Sequence, residues 1–292
     1  MSVDLITHPS MDTADPDWAH DQEAGAGPWR AVRGTAAETL ALAGRRLRHL
    51  RRSPGRLVGL VMNPVVMLIA VGYLFKNAIV VPGGTHYQDY LMAGVAAQVG
   101  LAGIGPTAIS VSLDLRSGLA DRLRSLPISR AAVLIGHSLS DTLVGLGALA
   151  LVLLVGLGLG WRPDCGVLGL LGGIGILAVF IFAMVWVGIL LGLCVSSAES
   201  IDSVGALVLV AFSFLSNAIL AAQTMPAWIR PVIEWNPVSA VATECRHLWG
   251  NPVFAETGYP ATHAGLVIVI SLGALLAVVT TLSLRRFRGG SV

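Results

Sequence analysis

Few side chains in this 292-residue chain could do chemistry inside its apolar stretches. His137 and Asp141 stand four residues apart, so on a helix they share one face. An imidazole and a carboxylate at that spacing could pass a proton, as in an ion-coupled carrier. Both sit near the start of an apolar run, where a helix leaves the headgroups, and we read them as a local charge pair. The centres of the runs hold Asn63, Gln98, Ser213 and Asn217 but no charge. Polar groups at that depth face protein or a water-filled path, so these four are candidates for a substrate path. His137 and Ser138 are adjacent and point different ways on a helix, so they make no nucleophile–base pair. No catalytic residue is expected. The single lysine, Lys76 in GYLFKN, lies in no GxxxxGK[ST] phosphate loop, so ATP chemistry would have to come from another polypeptide. Cys165, Cys194 and Cys245 form no CxxC and read as small buried hydrophobes rather than a metal or redox site.

The elements that would position these groups are apolar. Hydrophobic residues make up 54% of the chain and charged residues 12%, about half the share of a soluble domain. The mean hydropathy is +0.75. Apolar runs fall at about 57–75, 91–113, 133–160, 167–194, 203–222 and 263–284. About 20 apolar residues at ~1.5 Å each match a ~30 Å hydrocarbon core, so the reading is an all-α polytopic membrane protein with six spans. With the N-terminus inside, 15 of the 19 basic residues lie on the inner side and four (Lys76, Arg162, Arg230, Arg246) outside. That bias predicts a multi-pass protein of the cytoplasmic membrane with both termini cytoplasmic. GxxxG spacings at Gly156/Gly160, Gly169/Gly173 and Gly188/Gly192 allow close helix approach, within one chain or between two.

Three parts are expected along the chain. Residues 1–34 begin with six acids and no Lys or Arg before Arg30, and read as a disordered acidic tail, not a signal peptide. Residues 35–56 hold TAAETLALAGRRLRHLRR, an amphipathic helix with Thr35 and Glu38 at capping-box spacing. It should lie flat on the inner leaflet, leucines down and arginines at lipid phosphates. Residues 57–292 hold the spans.

Two polar segments interrupt them. From Asp114 to Arg130, Leu115, Leu119, Leu123 and Leu126 recur every third or fourth residue, while Arg116, Asp121, Arg122 and Arg124 take other positions. Such a stripe could seat in a groove of a cytoplasmic partner; a solvated topogenic loop fits the same pattern. Residues 223–262 carry five prolines and Trp228, Trp235 and Trp249. They read as two short helices dipping into the outer leaflet, a re-entrant hairpin between spans 5 and 6.

Three blocks of the chain resemble the membrane subunit of type-2 ABC exporters, in particular its daunorubicin-resistance branch. YQDYLMAGVAAQ runs into LRSGLADRLRSLPISRAAVLIGHSLSD; FSFLSNAILAAQTMPAWIRPVIEWNPVSAVATECRHL follows; RRSPGRLVGLVMNPVVMLIAVGYLF is the weaker third. They cover most of residues 51–250. Arg122, Ser125, Leu126, Pro127, Ser129 and Arg130 stand where that family's RSLP-S-R residues would. Ser216, Asn217, Met225, Pro226, Asn236, Pro237 and Arg246 fall on its second pattern. Two positions depart: His137 stands where the family often has arginine, and Thr243, with Glu244 beside it, stands near a common acid.

The resemblance implies a permease that moves a hydrophobic or amphipathic compound outward, without catalysis of its own. ATP and Mg would be held by a separate ATP-binding subunit, and a second permease chain, identical or a sister, would complete the core. Residues 115–128, with Pro127 near the end, would be the coupling helix; residues 35–52 the elbow helix; and Met225, Pro226, Trp228, Asn236, Pro237 and Arg246 would shape the outer hairpin. No cofactor or metal in this chain and no nucleic-acid partner is expected. A lipid, glycolipid or polyketide-lipid cargo keeps the same fold, and an ATP-independent carrier or channel is the alternative of another class.

Overall fold

The computed structural model describes residues 54–74, 87–116, 130–251, 253 and 258–289, and every regular element among them is a helix. In chain order these are α1 (Pro54–Leu74), α2 (Tyr87–Ala102), α3 (Ile104–Arg116), α4 (Arg130–Gly158), α5 (Val167–Cys194), α6 (Ala198–Phe214), α7 (Arg230–Glu234), α8 (Pro237–Trp249), α9 (Tyr259–Thr262) and α10 (Ala264–Gly289). The acidic tail, the elbow helix and residues 117–129 lie outside the described residues. Among the described residues four stretches are long and apolar enough to cross a membrane: Tyr87–Arg116, Leu134–Gly158, Val167–Cys194 and Ala264–Phe287. At ~1.5 Å per residue each reaches past a ~30 Å core. The apolar part of α1, Val58–Leu74, is shorter, as is the 17-residue α6.

Tyr87–Arg116 runs as two helices because of Pro106. Proline has no N–H to give the Ala102 carbonyl, and its ring crowds that carbonyl. The chain turns at Gly103, whose N–H is shared between the Val99 and Gly100 carbonyls, both at 3.2 Å. α2 is buried at Tyr87 and from Tyr90 to Leu101. It is the centre of the domain, packed by α1, α4, α5, α6 and α8, and it is apolar all round as a helix buried on all sides must be.

α5 uses its two glycine pairs on two different neighbours. A Cβ on Gly188 would sit 2.7 Å from the Ile104 carbonyl oxygen, and one on Gly192 2.4 Å from that of Ala108, so α3 lies directly on this face. A Cβ on Gly169 would sit 2.4 Å from the Leu248 carbonyl oxygen, and one on Gly173 2.3 Å from the Trp249 indole nitrogen, so α8 lies on the other end. These pairs therefore serve packing within the chain. Trp249 also meets Trp161 edge-on, ring centroids 5.2 Å apart.

The fifth apolar run departs from expectation. It is helical from Ala198 to Phe214, not from 203 to 222, and the remaining apolar residues leave the helix. Asn236 couples that end to the next helix. Its Oδ1 accepts from Val238 N at 2.9 Å, capping α8, whose first residue Pro237 suits a helix start. Its Nδ2 donates to the Leu215 carbonyl at 2.7 Å, capping the end of α6. The far end of α8 closes on Gly250 at φ +66°, where Asn251 N donates to the Arg246 carbonyl at 2.9 Å. A 3-10 turn at Ala222–Thr224 and three short helices, α7, α8 and α9, thus stand between α6 and α10 among the described residues.

Candidate functional site

Two polar clusters sit in this apolar body. The first gathers on Arg246, the most buried charge among the described residues at 1% exposure. α8 aims its guanidinium at the non-helical stretch that follows α6. Its Nε donates to the Tyr90 carbonyl at 2.9 Å. One Nη donates to Asn217 Oδ1 at 3.3 Å, and the other to the carbonyls of Asn217 and Ala218 at 2.9 and 3.2 Å. The guanidinium carbon also lies 3.7 Å from the centre of the Tyr90 ring, a cation–π contact. No carboxylate stands within ion-pair distance of it among the described residues; carbonyl dipoles face the charge instead.

The neighbours complete the cluster. Tyr87 and Tyr90 hydroxyls donate to the Ile219 and Asn217 carbonyls, both at 2.7 Å. Asn217 N donates to Ser239 Oγ at 3.0 Å and its Nδ2 to Thr243 Oγ1 at 2.8 Å. Asn251 donates from Nδ2 to the Asp89 carbonyl at 2.7 Å. A buried carbonyl outside a helix is costly unless something donates to it. Here two tyrosines and one arginine do so for residues 217–219, which is why the fifth run can stop being helical at depth. Thr243 thus bonds Asn217, while Glu244 meets His247 at 4.0 Å, outside the cluster. Asn217, Ser239, Thr243 and Glu234 also line a small crevice against Ala222 and Pro260.

The second cluster lies where α3 ends and α4 begins. Arg116 donates from its guanidinium to the Ser196 carbonyl, and Ser112 Oγ donates to the same oxygen at 3.3 Å. Both tie the end of α3 to the turn between α5 and α6. His137, 5% exposed, has Nδ1 3.4 Å from Asp141 Oδ2 and Nε2 3.6 Å from Asp114 Oδ2. The sequence pair is therefore one arm of a contact that also crosses from α4 to α3.

Of the residues expected to couple to a partner, Leu115 packs on the core and Arg116 holds Ser196. Leu119, Asp121, Arg122, Leu123, Arg124, Leu126 and Pro127 lie outside the described residues. Of the four expected on a substrate path, Gln98 and Ser213 are buried on α2 and α6, which pack together. Gln98 Oε1 and Ser213 Oγ have no hydrogen-bond partner among the described residues. Asn217 is buried and serves the Arg246 cluster, whereas Asn63 is exposed on α1. In the hairpin, Asn236 and Arg246 are buried, while Trp228 and Trp235 are 78% and 60% exposed. Cys245 is buried as expected, but Cys194 is exposed at the end of α5. Among the described residues no group of acids, histidines and cysteines could hold a metal ion. Sequence reasoning missed Tyr87, Tyr90 and Asp114. The tyrosines left a signal: three residues apart at the start of a largely apolar helix, each needed a buried partner for its hydroxyl.

Known proteins place this arrangement. A family model described as ABC-2 type transporter matches residues 37–246. The Daunorubicin resistance ABC transporter permease protein DrrB1 of Streptomyces coeruleorubidus is 34% identical over 261 residues, 89% of each chain. The Probable doxorubicin resistance ABC transporter permease protein DrrC of Mycobacterium tuberculosis is 27% identical over 253 residues, 84% of this chain and 90% of that one. A Putative transport permease, ycf38, of the alga Porphyra purpurea is 25% identical over 226 residues, 73% of this chain and 74% of that one. With the family match spanning both the α2 core and the Arg246 cluster, this chain belongs to the ABC-2 type transporter family as a membrane permease.

Proposed function

We propose that this chain is the membrane-spanning permease of an ATP-driven exporter that moves a hydrophobic or amphipathic compound, of the antibiotic class, outward across the cytoplasmic membrane. The observation that carries this reading is the 34% identity over 89% of both chains to a daunorubicin resistance permease. The absence of a phosphate loop in the sequence and the uncharged span centres support it. In this reading α1 and α6 complete six spans with the four long helices, and α7 and α8 form the outer re-entrant hairpin. The fifteen inner basic residues keep both termini cytoplasmic. A separate ATP-binding subunit, carrying ATP and Mg, docks on residues 115–128, and a second permease chain completes the core. Buried Gln98 and Ser213 are the best-placed candidates to meet cargo between α2 and α6.

The test is a pull-down of the chain from native membranes with the eluate assayed for ATPase. Co-purification of an ATP-binding subunit whose hydrolysis rises with a hydrophobic drug is expected. A chain that purifies alone, without ATPase, and still transports in liposomes would overturn the reading.

A further inference from the structure

We infer that the exposed face of α1 docks on the same face of a second copy of this chain, with Asn63 of each copy hydrogen-bonded to the other across a two-fold axis. This rests on the permease reading, in which two chains form the core. Its observation is an amide exposed at mid-span. Of the four polar side chains picked out in the centres of the apolar runs, Gln98, Ser213 and Asn217 are buried within the chain. Asn63 is exposed near the middle of the 21-residue α1, with no hydrogen-bond partner among the described residues.

Hydrocarbon cannot hydrogen-bond an amide, so such a side chain at that depth faces protein or a water-filled path. An exposed hydroxyl can solve the problem on its own helix: Thr281 on α10 donates to the Ala277 carbonyl at 2.6 Å. Asn63 makes no such bond. One turn before it stands Gly59, also exposed, where a Cβ would meet nothing within 4 Å. Glycine inside a helix is unfavourable, and no contact within the chain calls for this one. Small residues let two membrane helices approach, and an asparagine can then bond across them. Gly147 on α4 is equally open, but the exposed residues one turn to either side are Leu143 and Leu151. An open glycine therefore selects nothing by itself; the amide beside Gly59 does.

The rest of the face is apolar. Met62, Val66 and Ile69 are exposed on it, and α1 from Val58 to Leu74 holds no Asp, Glu, Lys or Arg. A charged partner would find nothing to meet there. Gly59, Met62, Val66 and Ile69 alternate by three and four residues, the period of a seam between two helices. A lipid-facing stripe has the same period, so the choice of occupant falls to Asn63. An amide carries both donor and acceptor and is its own complement. Two copies inserted in the same sense hold residue 63 at the same depth. A two-fold axis along the membrane normal then brings the two amides together, each Nδ2 donating to the other Oδ1. The opposite side of α1 is already taken, since α1 packs on α2 and α4 with Leu60 and Leu68 buried.

Two measurements on the full chain in membranes test it. In the first, Cys165→Ser and Cys194→Ser remove the two accessible thiols, and buried Cys245 is left in place. Asn63→Cys is added or, as a control on the exposed face of α10, Val278→Cys. Oxidation by copper phenanthroline in native membranes is expected to link Asn63→Cys chains into a dimer and to leave Val278→Cys chains single. In the second, energy transfer between donor- and acceptor-labelled chains follows association as proteoliposomes are diluted with lipid. Asn63→Leu is expected to weaken association about tenfold, and Asn63→Gln, which keeps an amide, less. The site is exposed, so neither substitution touches packing within the chain. Equal association of wild type and Asn63→Leu overturns the inference. So does an Asn63→Cys chain that forms no dimer, whether a water-soluble maleimide then labels it, as on an aqueous path, or fails to, as against lipid. A link only to a different permease chain overturns it as well. While wild-type chains still associate, these outcomes leave the two-chain permease reading intact. Wild-type chains that stay single at every dilution, with transport retained, sink the two-chain reading and this inference together.

Discussion

Replacing Arg246 with lysine keeps the charge and removes the fork. The guanidinium reaches four oxygens at 2.9–3.3 Å: the Tyr90 carbonyl on α2, Asn217 Oδ1, and the carbonyls of Asn217 and Ala218. A lysine ammonium is a single point at the end of a flexible stem and cannot span both sides of that set. Hydrogen bonds to a charged group are worth about 1.5–3 kcal/mol each, and acceptors left buried add their own desolvation cost. Losing two of the four should cost roughly 3–6 kcal/mol. At about 2–4 °C per kcal/mol for a domain of this size, Tm should fall by roughly 6–24 °C. Arg246→Met, which also strips the cation from the Tyr90 face, should fall at least as far. The assay is thermal unfolding of the detergent-solubilised chain followed by size-exclusion, with insertion checked separately. Both variants should still insert, because the apolar runs are untouched. A Tm within about 3 °C of wild type for Arg246→Met would refute the reasoning and mean that water or the remaining polar side chains satisfy the 217–219 carbonyls.

Gly94→Ala should destabilise by at least ~1–3 kcal/mol, because its Cβ would lie 2.0 Å from the Ala218 carbonyl oxygen. Gly147→Ala, with nothing within 4 Å, should be neutral or stabilise by up to ~1 kcal/mol; equal Tm for the two refutes the packing of α2 on residue 218. Asn236→Ala should cost about 1–2 kcal/mol by opening two helix ends, and Asn236→Asp should recover the α8 cap but not the donor to Leu215, so its Tm should fall between. If Asp restores full stability, the α6 contact contributes nothing. Leu123→Asp, a charge on the expected apolar docking stripe, should leave insertion intact and separate ATP hydrolysis from transport; normal drug transport by that variant would remove the docking role of residues 115–128.

Much of the architecture is legible in local pattern. α5 lies at the expected residues 167–194, and the first, second, third and sixth runs become helices with ends within a few residues of expectation. That follows because a chain stretch that must bury its own backbone polar groups in hydrocarbon has the helix as its simplest answer. Asn236 and Pro237 start α8 by a side-chain cap and a preset φ, both local effects of residue type. The fifth run misled because its composition stays apolar to Ala222 while its backbone does not stay helical.

What ends that helix is tertiary. The donors that release residues 217–219 from helical bonding are Tyr87, Tyr90 and Arg246, about 30 to 130 positions away. Their acceptors are main-chain carbonyls, which every residue has and no residue type announces. The same limit hid the two uses of the α5 glycines, since spacing shows that a close approach is possible but not which helix makes it. It also hid Asp114 from His137, because a contact between the end of one helix and the start of the next depends on how α3 and α4 pack. The sequence by itself determined which stretches are apolar helices and where the basic charge lies, because both depend on residue type and period alone. Only the packing of α2, α3, α4 and α8 decided which carbonyls Arg246 holds and which carboxylates His137 meets.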